Sequence, residues 1–396
     1  MQTHTARSLR WLAVMAAALS LLAACSKNKN PDQPAKLAPI KSTLRVRHLW
    51  SASVESGWHI FGDGGVAELR LGLSLAVDGT RVYASGHGGE VAAFDLNTGH
   101  RLWTTNTRLP LGGGPAVRGD LLVVGATDGR VAALNAATGK RLWTVQLNGS
   151  VISTPAIADN VVAVRSVDGK LRGLSPTNGH ELWEAGQDVP SLSLRGTSAP
   201  VIAGDLIICG FDNGKVLAVN AADGSQAWQA TVSSPHGRTE IERLADVDGP
   251  VSVAGEDVYA VGYHGNVTML ALKNGQTWWA HKASSFRGLA LGKDAVYMSS
   301  ADGQVVALNR ANGAVIWRQP ALRYRSLTAV AVSHDAVITA DFQGYVHFLD
   351  KRTGAFIARV RAGGARISNP PIVRGNEVVV INDDGRISAY RMSPRT

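Results

Sequence analysis

The chain reads as an all-β protein: an eight-bladed β-propeller with four antiparallel strands per blade and a ring closed by the N-terminal strand. Three observations lead there. A fifteen-residue phrase recurs about every 40 residues, a four-strand cycle separates successive copies, and the two ends of the array are incomplete in complementary ways.

Before the array come residues 1–43. Arg7 and Arg10 precede the uncharged run 11–24, which is shorter than a membrane-spanning helix needs. The run ends Leu22-Ala23-Ala24-Cys25 and resembles a bacterial lipobox, in which small residues precede a Cys that is lipidated and becomes the new N-terminus. The expectation is a lipoprotein signal peptide over 1–24 with lipid on Cys25; the alternative is an ordinary signal peptide with an incidental Cys. In lipoproteins Asp after that Cys is typically the inner-membrane retention signal, so Ser26 implies transfer to the outer membrane. Residues 25–43 are polar and Pro-rich without apolar periodicity, which reads as the lipidated Cys and a flexible tether. The propeller is expected over 44–396.

Its first strand is 44–50, LRVRHLW, which stands alone and carries Trp50. The repeated phrase then runs GEVAAFDLNTGHRLW at 89–103, GRVAALNAATGKRLW at 129–143 and GKLRGLSPTNGHELW at 169–183, returning at 214–228, 265–279 and 303–317. A seventh copy, 344–358, keeps the frame but ends in Ala358. In every copy a second Gly follows ten residues after the first: Gly99, Gly139, Gly179, Gly224, Gly275, Gly313 and Gly354. Within one repeat, short β-branched runs at 156–158, 161–166, 170–174 and 180–184 alternate with turn residues and predict four strands and no helix. Dipeptides such as Asp128-Gly129, Asp168-Gly169, Asn213-Gly214 and Asp302-Gly303 supply the positive φ angles of tight hairpins. After the seventh frame, 363–391 holds only three strands. Pairing them with 44–50 completes an eighth blade and removes the exposed edges of an open array.

Composition narrows the function. Removing 1–24 takes away two Arg, leaving 38 Lys+Arg against 31 Asp+Glu, a net of +7 spread along the chain with no basic block. Nucleic acid is therefore not expected as a partner, whereas weak attraction to anionic lipid is. There are two Cys. With Cys25 lipidated, Cys209 in the run LIICGF is expected to be a small buried apolar residue.

No catalytic, metal or cofactor set emerges. His87 and His264 fall in hairpin turns, and no His/Cys/Asp group has metal-site spacing. Gly112-Gly113-Gly114-Pro115 lacks the following helix of a phosphate cradle and reads as an inter-blade connection. Asp246-Val247-Asp248-Gly249 lacks the other ligands of a calcium loop. Seven of the ten Trp occupy repeat slots, where blade packing accounts for them.

Irregularities in the repeat are more informative. Frame glycines lie 40, 40, 45, 51, 38, 41 and 41 residues apart, so two neighbouring connections carry insertions. One spans 187–196 and contains Leu192, Leu194 and Arg195; the other spans 233–250 and contains Asp246 and Asp248. Alternate positions put each Leu pair or Asp pair on one side of an extended segment. Long loops on a rigid scaffold are where binding residues concentrate, and an apolar pair among mixed charges suits protein docking. The bland alternative is that Arg195 and the two Asp only tie the loops to each other.

The lipobox, the tether, the Trp-docked repeats and above all the phrases SLSLRGTSAP and RLADVDGP resemble the BamB family of outer-membrane assembly factors over essentially the whole chain. The resemblance implies a non-catalytic lipoprotein on the periplasmic side of the outer membrane. It would bind the POTRA domains of BamA within the Bam complex and assist insertion of β-barrel proteins. Carried over position by position, the partner-binding residues are Leu192, Leu194, Arg195, Asp246 and Asp248. A lesser second role, pairing a strand edge with unfolded β-barrel clients, has only short outer edges to work with. The repeats also resemble those of quinone (PQQ)-dependent dehydrogenases, but the chain has no vicinal Cys pair, no evident acidic calcium set and little sequence outside the blades. A polysaccharide-binding propeller is a third reading, for which Trp58 and Trp278 are the candidate sugar-stacking residues.

Overall fold

The computed structural model describes residues 32–54, 74–86, 88–190, 198–236, 238–239 and 244–395. Cys25, Trp58, His87, Leu192, Leu194 and Arg195 lie outside the described residues. Among the described residues, thirty-two strands, numbered in chain order, form eight four-stranded antiparallel sheets. Blade three shows how closely local pattern sets the elements. Its strands are β10 (Ala156–Ile157), β11 (Val162–Arg165), β12 (Lys170–Leu174) and β13 (Glu181–Gly186), within two residues of the ends that the alternation and turn residues predict.

Blade eight is the composite. The N-terminal β1 (Leu44–Ser53) pairs antiparallel with β32 (Arg386–Pro394), from Leu44 opposite Pro394 to Ser53 opposite Arg386, with one bulge between His48 and Trp50. This is the expected closure.

The Gly–Trp frame is the inter-blade joint. Trp50, Trp103, Trp143, Trp183, Trp228, Trp279 and Trp317 each donate their indole N–H to a carbonyl of the next blade, at 2.7–3.0 Å. Each ring lies on that blade's second frame glycine. At Gly224, for example, φ is +71° and an added Cβ would stand 2.6 Å from the Trp183 ring. A side chain there would forfeit both the turn and the stacking. The joint also explains why the seventh copy has Ala358. The next blade takes its outer strand from the N-terminus, so it has no hairpin between third and fourth strands and no glycine for a Trp to cover. Residues before the slot Trp face outward: Leu102, Leu142, Leu182, Trp278 and Ile316 are all exposed, so Trp278 holds a position common to the rim.

Between blades the core is small and β-branched, with Val, Ala, Leu and Ile fully buried on the second and third strands. Cys209 joins this core, and burial pushes its thiol up to about 12.

Two expectations need correction. Residues 112–115 are not a connection: they belong to β6 (Leu111–Arg118), the inner strand of blade two. Its two register shifts arise where the backbone presses against blade three, since a Cβ on Gly113 would meet the Ser153 carbonyl at 2.2 Å. Nor is the whole tether free. Residues 35–43 lie on the ring, with the Ala35 N–H donating to the Arg323 carbonyl and the Thr43 N–H to the Ile357 carbonyl, both at 2.9 Å.

Candidate partner-docking site

The outer strand of each blade ends beside the turn joining its second and third strands. The Leu147 N–H donates to Gly129, Gln187 to Gly169, Val232 to Gly214 and Tyr324 to Asp302, at 2.9–3.0 Å. These connections therefore leave from one face, and the described ends of both insertions lie there, between blades three and four and between blades four and five. Their ends touch. The Ser198 hydroxyl, just past the first insertion, donates to the Gly249 carbonyl of the second at 3.0 Å, and both groups are buried.

The second insertion is held by its backbone. The Val247 N–H donates to Phe211 at 3.1 Å, and the Tyr263 N–H donates to the Asp246 carbonyl at 2.8 Å. Val247 is fully buried and rests on Gly210, where an added Cβ would stand 2.5 Å from its side chain. Asp246 and Asp248, 1% and 8% exposed, consequently sit in the base of the loop rather than on its outer surface. Burial first, then the neighbouring Asp246 and Asp212 carboxylates, push Asp248 up to about 8 against the opposing pull of Arg165 and Arg287.

Two residues of this base were missed by sequence reasoning. Arg165 is buried at the end of β11, its guanidinium 3.5 Å from Asp212 and 4.4 Å above the Phe211 ring. Burial raises the Asp212 pKa, and Arg165 opposes the rise. The signal was available: at this frame position the other blades carry Ser85, Gly125, Gly210, Val261, Ser299, Ala340 and Ile381, so Arg165 is the charged exception. A buried charge is costly unless paired, and here the pairing ties blade three to blade four beneath the loops.

This base should make stability pH-dependent. A carboxyl whose folded pKa lies near 8, against about 3.9 for an ordinary Asp, favours folding fully below pH 4 and loses that contribution as pH rises toward 8. Asp248→Asn removes the titration. The variant should gain on the parent between pH 5 and 8, by at most about 1.4 kcal/mol per pH unit. Denaturation midpoints measured across that range test it, and parallel profiles would refute it.

Among the described residues no three His, Cys, Asp or Glu are grouped to hold a metal. His264 is a turn residue with φ of 51°, stacked on Tyr263 at 4.0 Å, and its backbone N–H is satisfied by Ser284.

The architecture defines the class: a closed eight-bladed propeller built from Gly–Trp joints. The family model described as outer membrane protein assembly factor BamB matches residues 87–319 and 302–393. The BamB of Pseudomonas aeruginosa is 44% identical over 378 residues, covering 96% of this chain and 97% of that protein. The crystal structure of BamB from Moraxella catarrhalis superposes with a TM-score of 0.79 at 27% identity, covering 88% of this chain and all of that one. The chain belongs to the BamB family of outer membrane protein assembly factors. A quinohemoprotein alcohol dehydrogenase from Pseudomonas putida shares the fold, with a TM-score of 0.68 over 89% of this chain and 77% of its own, but at 13% identity that likeness is of fold alone.

Proposed function

We infer that the protein is a non-catalytic scaffold of the outer-membrane β-barrel assembly complex. Lipid on Cys25 holds it at the periplasmic side of the outer membrane, and the insertions over blades three to five bind the POTRA domains of BamA. The observation that carries this reading is the meeting of the described ends of the two insertions on the connection face, through Ser198 and Gly249. Family membership and the match of the two loop phrases support it. Leu192 and Leu194 supply apolar contact and Arg195 orientation. Asp246 and Asp248, lying in the loop base, act by holding the shape of the loop rather than by touching the partner.

A pull-down of the chain from Ser26 with the periplasmic part of BamA tests this. Leu192→Ala/Leu194→Ala should weaken binding by about 2–4 kcal/mol, roughly 30- to 700-fold, with the melting temperature unchanged. Asp246→Ala/Asp248→Ala should lower both binding and melting temperature. Undiminished binding by both variants would put the partner site elsewhere.

A further inference from the structure

The tether is bound by a set of side chains that the docking function does not use. Three arginines from different parts of the chain each donate to one of its carbonyls: Arg325 to Ala35 at 3.0 Å, Arg359 to Ala38 at 3.0 Å and Arg395 to Ser42 at 3.2 Å. Between the first two carbonyls, Leu37 packs against the core shared by blades six and seven. The first two arginines are also connected beneath the tether. Arg325 donates through Nε to Asp341 at 2.7 Å, and His347 Nε2 lies 2.9 Å from the same carboxylate oxygen. Arg359 donates through Nε to His347 Nδ1 at 3.1 Å. A guanidinium can only donate, so Nδ1 is the acceptor and the imidazole proton sits on Nε2, facing Asp341. Arg325, Asp341 and His347 are buried.

We propose that blade seven is a binding site for the chain's own tether, a latch that reads an extended backbone through its carbonyls and sets the length and exit point of the leash. Recognition through main-chain oxygens, with one apolar side chain, suits a Pro-rich segment that cannot form secondary structure of its own. The latch has two consequences. First, the tether leaves the ring beside Arg323, in the connection between blades six and seven, on the face where the described ends of both insertions meet. The anchor and the docking loops then share one side of the ring. Second, only residues 26–34 remain between Cys25 and the latch, a span of no more than about 30 Å when fully extended, against about 60 Å if 26–43 were free. The second consequence rests on lipidation of Cys25; the latch itself does not.

Trypsin tests the latch directly, because the bonds after Lys36 and Lys41 lie within the bound segment and those after Lys27 and Lys29 lie outside it. In the mature chain, cleavage after Lys36 and Lys41 should lag behind cleavage after Lys27 and Lys29 by at least about tenfold, as cutting follows the population of the released form. Leu37→Asp and Arg395→Ala release the tether without touching the buried Asp341 cluster, and should abolish the lag while the ring stays intact. Equal cutting at all four sites in the parent chain, or a lag that survives both changes, would overturn the latch. Energy transfer from a labelled ring to dye-bearing vesicles then reads the leash. The lipidated parent should sit closer to the membrane than Leu37→Asp, and equal distances would overturn the leash role while leaving the trypsin result standing. Failure of the parent to anchor at all would overturn the lipid reading and, with it, the leash.

Discussion

Trp50→Ala is expected to cost about 3–5 kcal/mol and to loosen the ring at its seam. Trp50 is 7% exposed and packs in the cluster that joins blade eight to blade one, where Val82, Ala84, Phe94 and Leu96 meet Val379, Ile381, Ile387 and Ala389. Its indole N–H donates to the Leu96 carbonyl at 2.7 Å, and its ring covers Gly99. Removing it leaves a cavity at the seam where the composite blade eight, built from both ends of the described chain, meets blade one. Weakened packing there should let β1 fray from β32 and expose an unpaired strand edge, with aggregation as a visible result. The measurement is chemical denaturation of parent and variant, with amide exchange along 44–53. A loss below about 1 kcal/mol would mean that the β1–β32 ladder closes the ring without the Trp. Gly99→Ala approaches the same joint from the other side. In the parent its Cβ would strike the Trp50 ring at 2.5 Å, so the substitution costs the clash as well as the positive φ of +71°. Once Trp50 is truncated only the backbone term, about 1 kcal/mol, should remain. The double variant is therefore expected to be less destabilised than the sum of the two singles.

That joint also shows why the fold was legible in the sequence while much of the site was not. Gly at a positive φ and Trp beneath the next blade are local requirements repeated in register, so they print a period on the chain. The ends of the array could then be counted, and even the missing Trp at Ala358 has its cause in the composite blade. The glycine run at 112–115 was misread because its use is a close approach to Ser153 in another blade, which no local pattern announces. The two insertions were found from spacing alone, but spacing could not say that Asp246 and Asp248 turn inward, since Val247 between them is buried as well. Arg165 and Asp212 lie 47 residues apart, and Arg325 and Arg359 reach back 290 and 321 residues to the tether. Such pairings depend on which surfaces the closed ring brings together.

The second large effect is expected at Asp341. Its carboxylate is fully buried and accepts four hydrogen bonds: from Arg325 Nε at 2.7 Å, His347 Nε2 at 2.9 Å, and the backbone N–H groups of Gln343 at 2.9 Å and Tyr345 at 3.1 Å. Burial alone would raise its pKa, but the His347 and Arg325 contacts outweigh burial and hold it below the usual carboxylate range. Burial likewise lowers the pKa of His347, keeping the imidazole neutral. Asp341→Ala would leave a buried guanidinium without its counter-charge and an imidazole N–H without an acceptor, at a cost of about 3–5 kcal/mol. Asp341→Asn keeps the shape but removes the charge, and its amide can accept only through one oxygen, so a smaller loss is expected. The sign of the pH dependence follows from the depressed pKa. The parent holds this stabilisation above the unfolded carboxylate pKa and loses it as pH falls through the folded one, so the gap between parent and Asp341→Asn should close in acid. Denaturation midpoints of the three proteins from pH 3 to 7 check this, and a gap that stays constant would show that the charge contributes nothing. The same substitutions bear on the tether, because Arg325 is oriented by Asp341 while it holds Ala35. Asp341→Asn should therefore speed tryptic cleavage after Lys36 under conditions where the ring remains folded, coupling a buried charge in blade seven to the freedom of the segment that leads to the membrane.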